Sequence, residues 1–301
     1  MAPDGISPFV RPVRRRRTMV ALITAIATVA AIGTVALAGC TIRLCAEPVR
    51  VITFDGAAGS PPDTAVWKHE LGGHGWGNRE LQSYTDSTAN AAVDGSGNLL
   101  LTARRESHTG ADGINRRYTS ARLTTQGTVL VSPGSYVEAT IHTPVGDGVW
   151  PAFWLIGADI TEVGWPASGE LDVMEVFGDR PNVVTHRIHL AALDDPTKDM
   201  PVGPGTPDWS TTVDQSLDSV GHRFGVYFDG DRVQFYLDRR QRLTYTAEQA
   251  RASGRAWPFG RPQFIVLNIA VGSIAGDPSD TDFPKTMTVS PISIWRAVPP
   301  G

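Results

Sequence analysis

From about Val49 onward the chain is built of short runs in which apolar and polar positions alternate or apolar residues cluster. "NLLLTARRE", "YTSARLTT", "SYVEATIHTP", "VVTHRIHLA" and "TMTVSPISIW" are such runs, and Gly, Pro, Asp and Asn punctuate them. A repeat of two with that punctuation predicts β-strands joined by turns. "FDGDR" at 228–232 sits between two alternating runs and predicts a tight hairpin. Only the stretch from Thr246 to Ser253 reads as helix. Strands and helices do not alternate, so a parallel α/β fold is excluded. The pattern predicts an all-β fold of many short antiparallel strands, a large sandwich or jelly roll, in one domain, residues 46–301. No internal repeat interrupts it. The segment 194–212, "DDPTKDMPVGPGTPDWSTT", reads as a surface excursion.

Residues 1–45 break the pattern. Arg14, Arg15, Arg16 and Arg17 precede an uncharged apolar run from Met19 to Gly39. That is the layout of an export signal or a membrane anchor, and the run has the roughly 20 residues that a bilayer span needs. It closes on "LAGC", Leu37 to Cys40, which resembles a bacterial lipobox with Cys40 as the lipidated residue. An uncleaved anchor helix is the alternative. In both readings the rest of the chain is exported and tethered outside the membrane, with the arginines on the cytoplasmic side. Cys40 and Cys45 are the two cysteines of the chain, so the β domain has neither a disulfide framework nor a cysteine metal site. The net charge of −4, with 41% hydrophobic and 19% charged residues, is that of a globular protein and gives no basic surface for nucleic acid. A monomer is expected.

Candidate chemistry enters with "GELDVMEVFGD", residues 169–179. On a strand Glu170 and Asp172 share a face, but the next position on that face is Met174, and Glu175 comes one residue late. A β-bulge at Val173–Met174 would turn Glu175 back to the acidic side. Carboxylates crowded in this way repel, which raises at least one pKa and keeps one group protonated beside a charged one. Those are the two species that glycoside hydrolysis requires. Glu170 and Glu175 are over ~13 Å apart along the strand, so their side chains must lean together to act as a pair. Asp172 stands between them. Trp150, Trp154 and Trp165 precede the acids, and indole faces stack on sugar rings. One of Trp150 and Trp154 is expected in the core. Trp165 lies in a Gly- and Pro-bounded loop, where burial is less expected. His186 and His189 are three apart, which on a strand puts them on opposite faces and excludes a shared metal.

These residues resemble glycoside hydrolase family 16, and within it the laminarinase-like (endo-β-1,3-glucanase) branch, whose Glu-x-Asp-x-x-Glu motif reads "GELDVME" here. "FDGAAGSPPDTAVW", "GNRELQSYT", "YTSARLTT", "VWPAFWLIG" and "VLNIAVG" also resemble family segments and follow in family order, over roughly residues 50–296. The resemblance implies an all-β, concanavalin A-like jelly-roll sandwich of two antiparallel sheets and a retaining endo-hydrolase of β-glucan, with β-1,3 the expected linkage. Glu170 would be the nucleophile, Glu175 the acid/base and Asp172 the supporting carboxylate. It implies that Asn78, Arg122, Trp150, Trp154, Trp165 and His189 line the sugar cleft. Read from the residues alone, Arg122 fits a surface pair equally well, and His189 a satisfied strand histidine.

Two cleft loops depart from the family. "SIAGDP" follows "NIAVG" where a Gly and a Trp are usual, and "LAALDDP" follows the "RIH" strand where a Gly-Pro-Gly loop is frequent. Both departures bear on the substrate more than on the chemistry. A hydrolase or transglycosylase of another polysaccharide, a galactan or the cell's own wall glycan, is therefore the alternative. A non-catalytic carbohydrate-binding protein is a further one. No cofactor is expected. A structural calcium is disfavoured, because Thr53 and Ser290 stand where family members carry acids.

Overall fold

The apolar half of each alternation lies between two β-sheets. The computed structural model describes residues 43–203 and 209–298, so the apolar run and Cys40 lie outside the described residues. Seven strands form the sheet that carries the candidate site. Their order is Ser210–Thr212, Val183–His189, Glu170–Glu175, Val149–Gly157, Gln263–Val271, Arg122–Thr124 and Lys68–His69, each antiparallel to its neighbours. The backing sheet has twelve strands. It runs from Arg240–Thr246 through Arg232–Leu237, His222–Phe228, Ser135–His142, Lys285–Val289, Leu99–Thr109 and Asn115–Ser120 to Gln82–Tyr84. The last of these pairs is parallel. The last described strand, Ile292–Val298, pairs with Ser135–His142 and Arg50–Ile52 and also with Arg43–Leu44. Together the sheets make the predicted jelly-roll sandwich.

The predicted hairpin at 228–232 joins two paired strands. The predicted helix is present as Ala247–Ala252. Thr246 accepts from the Gln249 amide and the Gln249 side chain accepts from the Thr246 amide, a reciprocal cap that starts the helix at that point. A second short helix, Ile160–Val163, was not legible, because four residues are too few to show a period. Among the described residues no helix is long and apolar enough to cross a membrane.

One continuous core fills the space between the sheets. The Val149–Gly157 strand, called below the tryptophan strand, shows how it is supplied. Val149, Phe153 and Leu155 enter the core, while Trp150, Ala152, Trp154 and Ile156 form small apolar clusters on the opposite face. All nine residues are buried, which accounts for the absence of alternation in this run. The Gln263–Val271 strand beside it does the same, with Ile265, Leu267, Ile269 and Val271 inward and Asn268 and Ala270 facing the site.

Candidate active site

The acid strand, Glu170–Glu175, lies between the tryptophan strand and the histidine strand, Val183–His189. On one side Trp154 faces Asp172 and Phe153 faces Met174, which leaves Val173 over. On the other, Asp172 faces Arg187 and Glu175 faces Thr185, so Val173 and Met174 together oppose His186. This is the bulge that the three-residue interval predicts. Both side chains of the bulge, Val173 and Met174, are fully buried in the core, and Glu170, Asp172 and Glu175 all face one cleft of about 440 Å³.

A bulge frees a carbonyl from its ladder. Here His186 meets it: its Nδ1–H donates to the Val173 carbonyl at 2.8 Å, and its ring stacks on Phe235. Burial holds the His186 pKa down to about 4, so the ring is neutral under the bulge. Alternation sends His186 into the core and His189 into the cleft, as expected of an odd spacing.

Each acid is held by a named partner. Trp150 Nε1 donates to Glu175 Oε1 at 3.1 Å, and Trp165 Nε1 donates to Glu170 Oε2 at 3.0 Å. Asp172 lies beside Glu170, whose charge acts on its carboxyl. His189 Nε2 stands 3.9 Å from Glu170 and 3.7 Å from Asp172, while its Nδ1–H donates to Asp199 at 2.7 Å. Arg187 Nε lies 3.5 Å from Glu175 Oε2.

Burial first, and then the charges of Glu170 and Glu175, push the Asp172 carboxyl well above the usual range. Burial also raises Glu175, against the pull of Arg187 and His189. For His189 burial works downward, but the Asp199 bond and the charge of Glu170 outweigh it and the imidazole is raised. Asp172 and Glu175 therefore hold their protons more tightly than isolated carboxylates do. Side-chain oxygen and nitrogen atoms of Glu170, Asp172 and His189 lie within 4.8 Å of one another.

Further along the cleft a relay pins the other predicted residues. Trp154 Nε1 donates to Asn268 at 2.7 Å, Asn268 donates to the Tyr84 hydroxyl at 3.1 Å, and that hydroxyl donates to Glu80 at 3.1 Å. Glu80 also accepts from Asn78 at 3.1 Å. Arg122 lies between the rings of Trp76 and Trp154, 4.5 and 4.7 Å from their centroids, and pairs with Glu70. It makes an ion pair and lines the cleft at once.

Asn78, Arg122, Trp150, Trp154, Trp165 and His189 all line the cleft with the three acids. Two expectations are corrected. Neither Trp150 nor Trp154 belongs to the core between the sheets: their even spacing keeps both on the site face, where their indole N–H groups reach Glu175 and Asn268. The segment from 194 is also more than a surface excursion. Val202 pairs with Ile188, and Asp199 enters the cleft to hold His189. Trp76, Glu80, Arg187, Asp199 and Asn268 were missed. Arg187 is two residues before His189 and so shares its face, and Asn268 is the polar residue inside an apolar run. Both signals were readable. Asp199 gives none, because a loop has no period.

Comparison with known proteins agrees with this geometry. Residues 79–290 match the model for glycosyl hydrolases family 16. A beta-glucanase of Rhodothermus marinus is 32% identical over 79% of this chain and 81% of its own. A glucan endo-1,3-beta-glucosidase of Cryptopygus antarcticus is 37% identical over 71% of this chain and 78% of its own. Among solved structures, the endo-beta-1,3-glucanase from Pyrococcus furiosus superposes with a TM-score of 0.74 at 32% identity, covering 85% of this chain and 96% of that one. The agreement takes in the acid strand and most of the chain around it, and on that ground the chain belongs to glycosyl hydrolases family 16.

Proposed function

We propose that the chain is a retaining endo-hydrolase of β-glucan, with β-1,3-linked glucan as its substrate. The observation that carries the chemistry is the bulge, which aims Glu170, Asp172 and Glu175 into one cleft. The named activities of the relatives above support the substrate.

The side-chain partners divide the work. Trp150 occupies Glu175 Oε1 as a donor, so the acid proton resides on Oε2. In the first step Glu175 gives that proton to the departing glycosidic oxygen. The bond from that oxygen to the anomeric carbon breaks, and the bond from Glu170 to the same carbon forms. In the second step Glu175 takes a proton from water as the water oxygen bonds to that carbon and Glu170 leaves. Asp172, beside Glu170 and with its own carboxyl raised, steadies that carboxylate and relinquishes its hold as the charge is consumed. Trp165, exposed above Glu170, offers a face for a sugar ring, while Arg122 is stacked on Trp76 and Trp154. The reaction needs no cofactor.

We infer further that the chain is exported and held at the outer face of the membrane through its first 45 residues, and that it acts as a monomer. Membrane fractionation of a Cys40→Ala variant tests the tether: release supports lipidation at Cys40, and retention supports an anchor helix.

The activity test incubates the enzyme and a Glu170→Gln variant with β-1,3-glucan, mixed-linkage glucan, galactan and the cell's own wall polysaccharides, with products read by mass spectrometry. β-1,3-linked gluco-oligosaccharides from the unaltered enzyme alone are expected. Products from another polymer only would replace the substrate and keep the mechanism. Binding without cleavage would overturn both.

A further inference from the structure

We propose that Arg187 is a positioning residue for the acid/base: its guanidinium, seated by the loop 198–203, sets the alkaline limit of the first step and readies Glu175 for its second role. The inference rests on the retaining reading above.

The geometry is specific. Arg187 faces Asp172 across the ladder and shares the cleft face with His189. Its Nε and Glu175 Oε2 are 3.5 Å apart, both are buried, and neither makes a hydrogen bond within the protein. The contact is therefore one of charge alone. A hydrogen bond there would occupy the oxygen that must deliver the proton, since Trp150 already holds the other. The loop fixes the seat: a methyl group at Gly203 would come within 2.9 Å of Arg187 Cγ. The same loop holds His189 through Asp199.

The groups around Glu175 can be named element by element. Its own strand supplies Asp172 and Glu170, and the histidine strand supplies Arg187 and His189, the latter paired with Asp199. The tryptophan strand contributes the Trp150 indole N–H, and the Gln263–Val271 strand the neutral Asn268 and Ala270. Arg187 is the permanently charged cation of this set. Burial and Glu170 favour a protonated Glu175, and Arg187 leads the opposing side. Once Glu170 is bonded to the sugar its charge is gone and the pull of Arg187 is less opposed. Glu175 then holds a proton less tightly, as a base for water must before it receives one.

The test uses Arg187→Gln, Arg187→Lys and Gly203→Ala, with kcat/KM measured against pH on a β-glucan oligosaccharide. Arg187→Gln is expected to move the alkaline limb up by about one pH unit, the low end for removing an opposite charge at this distance. Arg187→Lys keeps the limb near its place. Gly203→Ala, which displaces the guanidinium, moves the limb up by less and decides the matter if Arg187→Gln does not fold. An even fall in kcat/KM with an unmoved limb in the folded neutral variant and in Gly203→Ala would overturn the proposal. The Glu175 carboxyl titrated by 13C NMR, assigned through Glu175→Gln, reads the same shift without substrate. Failure to cleave any β-glucan would therefore refute the substrate and leave this inference standing or falling on its own readout.

Discussion

The two oxygens of Glu175 differ: Trp150 donates to one, and the other is buried without a hydrogen bond from the protein, as the proposed proton donor requires. Glu175→Gln is accordingly expected to lower turnover of β-glucan by about 10²- to 10⁴-fold, the usual worth of a positioned acid. The loss should be far smaller in the first step of an aryl glycoside whose leaving group departs without a proton. Equal losses on both substrates, measured as the pre-steady-state burst of the aryl alcohol, would remove Glu175 from the acid role. At this scale the sequence was a good guide to where the acids point, since one residue out of step on a strand has few physical explanations. It was a poor guide to what holds them. Asp199 reaches His189 from an aperiodic loop, and Glu80 acts through a relay that closes only when three separated strands and a loop meet.

The acid strand owes its shape to its neighbour as much as to itself. The bulge exposes the Val173 carbonyl to a dry core, and His186 on the adjoining strand satisfies it. His186→Leu keeps the volume but orphans that carbonyl, so it is expected to cost about 1–3 kcal/mol in denaturant unfolding, the penalty for an unpaired buried polar group. It should also reduce activity more than its distance from the cleft suggests, because Glu175 hangs on the bulge. The same histidine makes this element sensitive to acid. Its folded pKa of about 4 lies below the ordinary 6.5, so the unfolded chain binds a proton first as pH falls. The stabilisation is fully present above about 6.5 and is lost progressively down to about 4, by roughly 3 kcal/mol in all. The raised carboxyls of Asp172 and Glu175 act with the opposite sign. The difference between the unaltered protein and His186→Leu against pH isolates the histidine. That difference should narrow as pH falls from 6.5 to 4, and a constant gap would show that His186 is not the titrating group. Alternation along the strand predicted that His186 faces away from the cleft. That it meets the freed carbonyl was beyond reach, because partners across a ladder are set by register.

For the whole molecule, the sandwich was legible because two-residue alternation names both the strands and the face each buries. The tryptophan strand was the exception. Its cleft face is as apolar as its core face, so burial alone could not say which indoles meet the site. The finished architecture collects like charges on one sheet face and withdraws them from water, which the rest of the fold must offset. Asp172 bears this most directly: it is buried, flanked by two acids, and raised by burial before all else. A raised carboxyl destabilises the fold at any pH where it is forced to ionise. Asp172→Asn removes the charge and keeps the shape, so it should raise the melting temperature near neutral pH by ~2–4 °C for each kcal/mol recovered in a domain of this size. The gain should shrink as pH falls through the range where Asp172 takes up its proton. Glu175→Gln should gain less, since it strands Arg187 without its partner. Both variants should lose activity. Calorimetry across pH on the two variants checks the order. A melting temperature for Asp172→Asn at or below that of the unaltered protein at neutral pH would mean that the acid cluster stabilises the fold, and that its protons are not held against a cost.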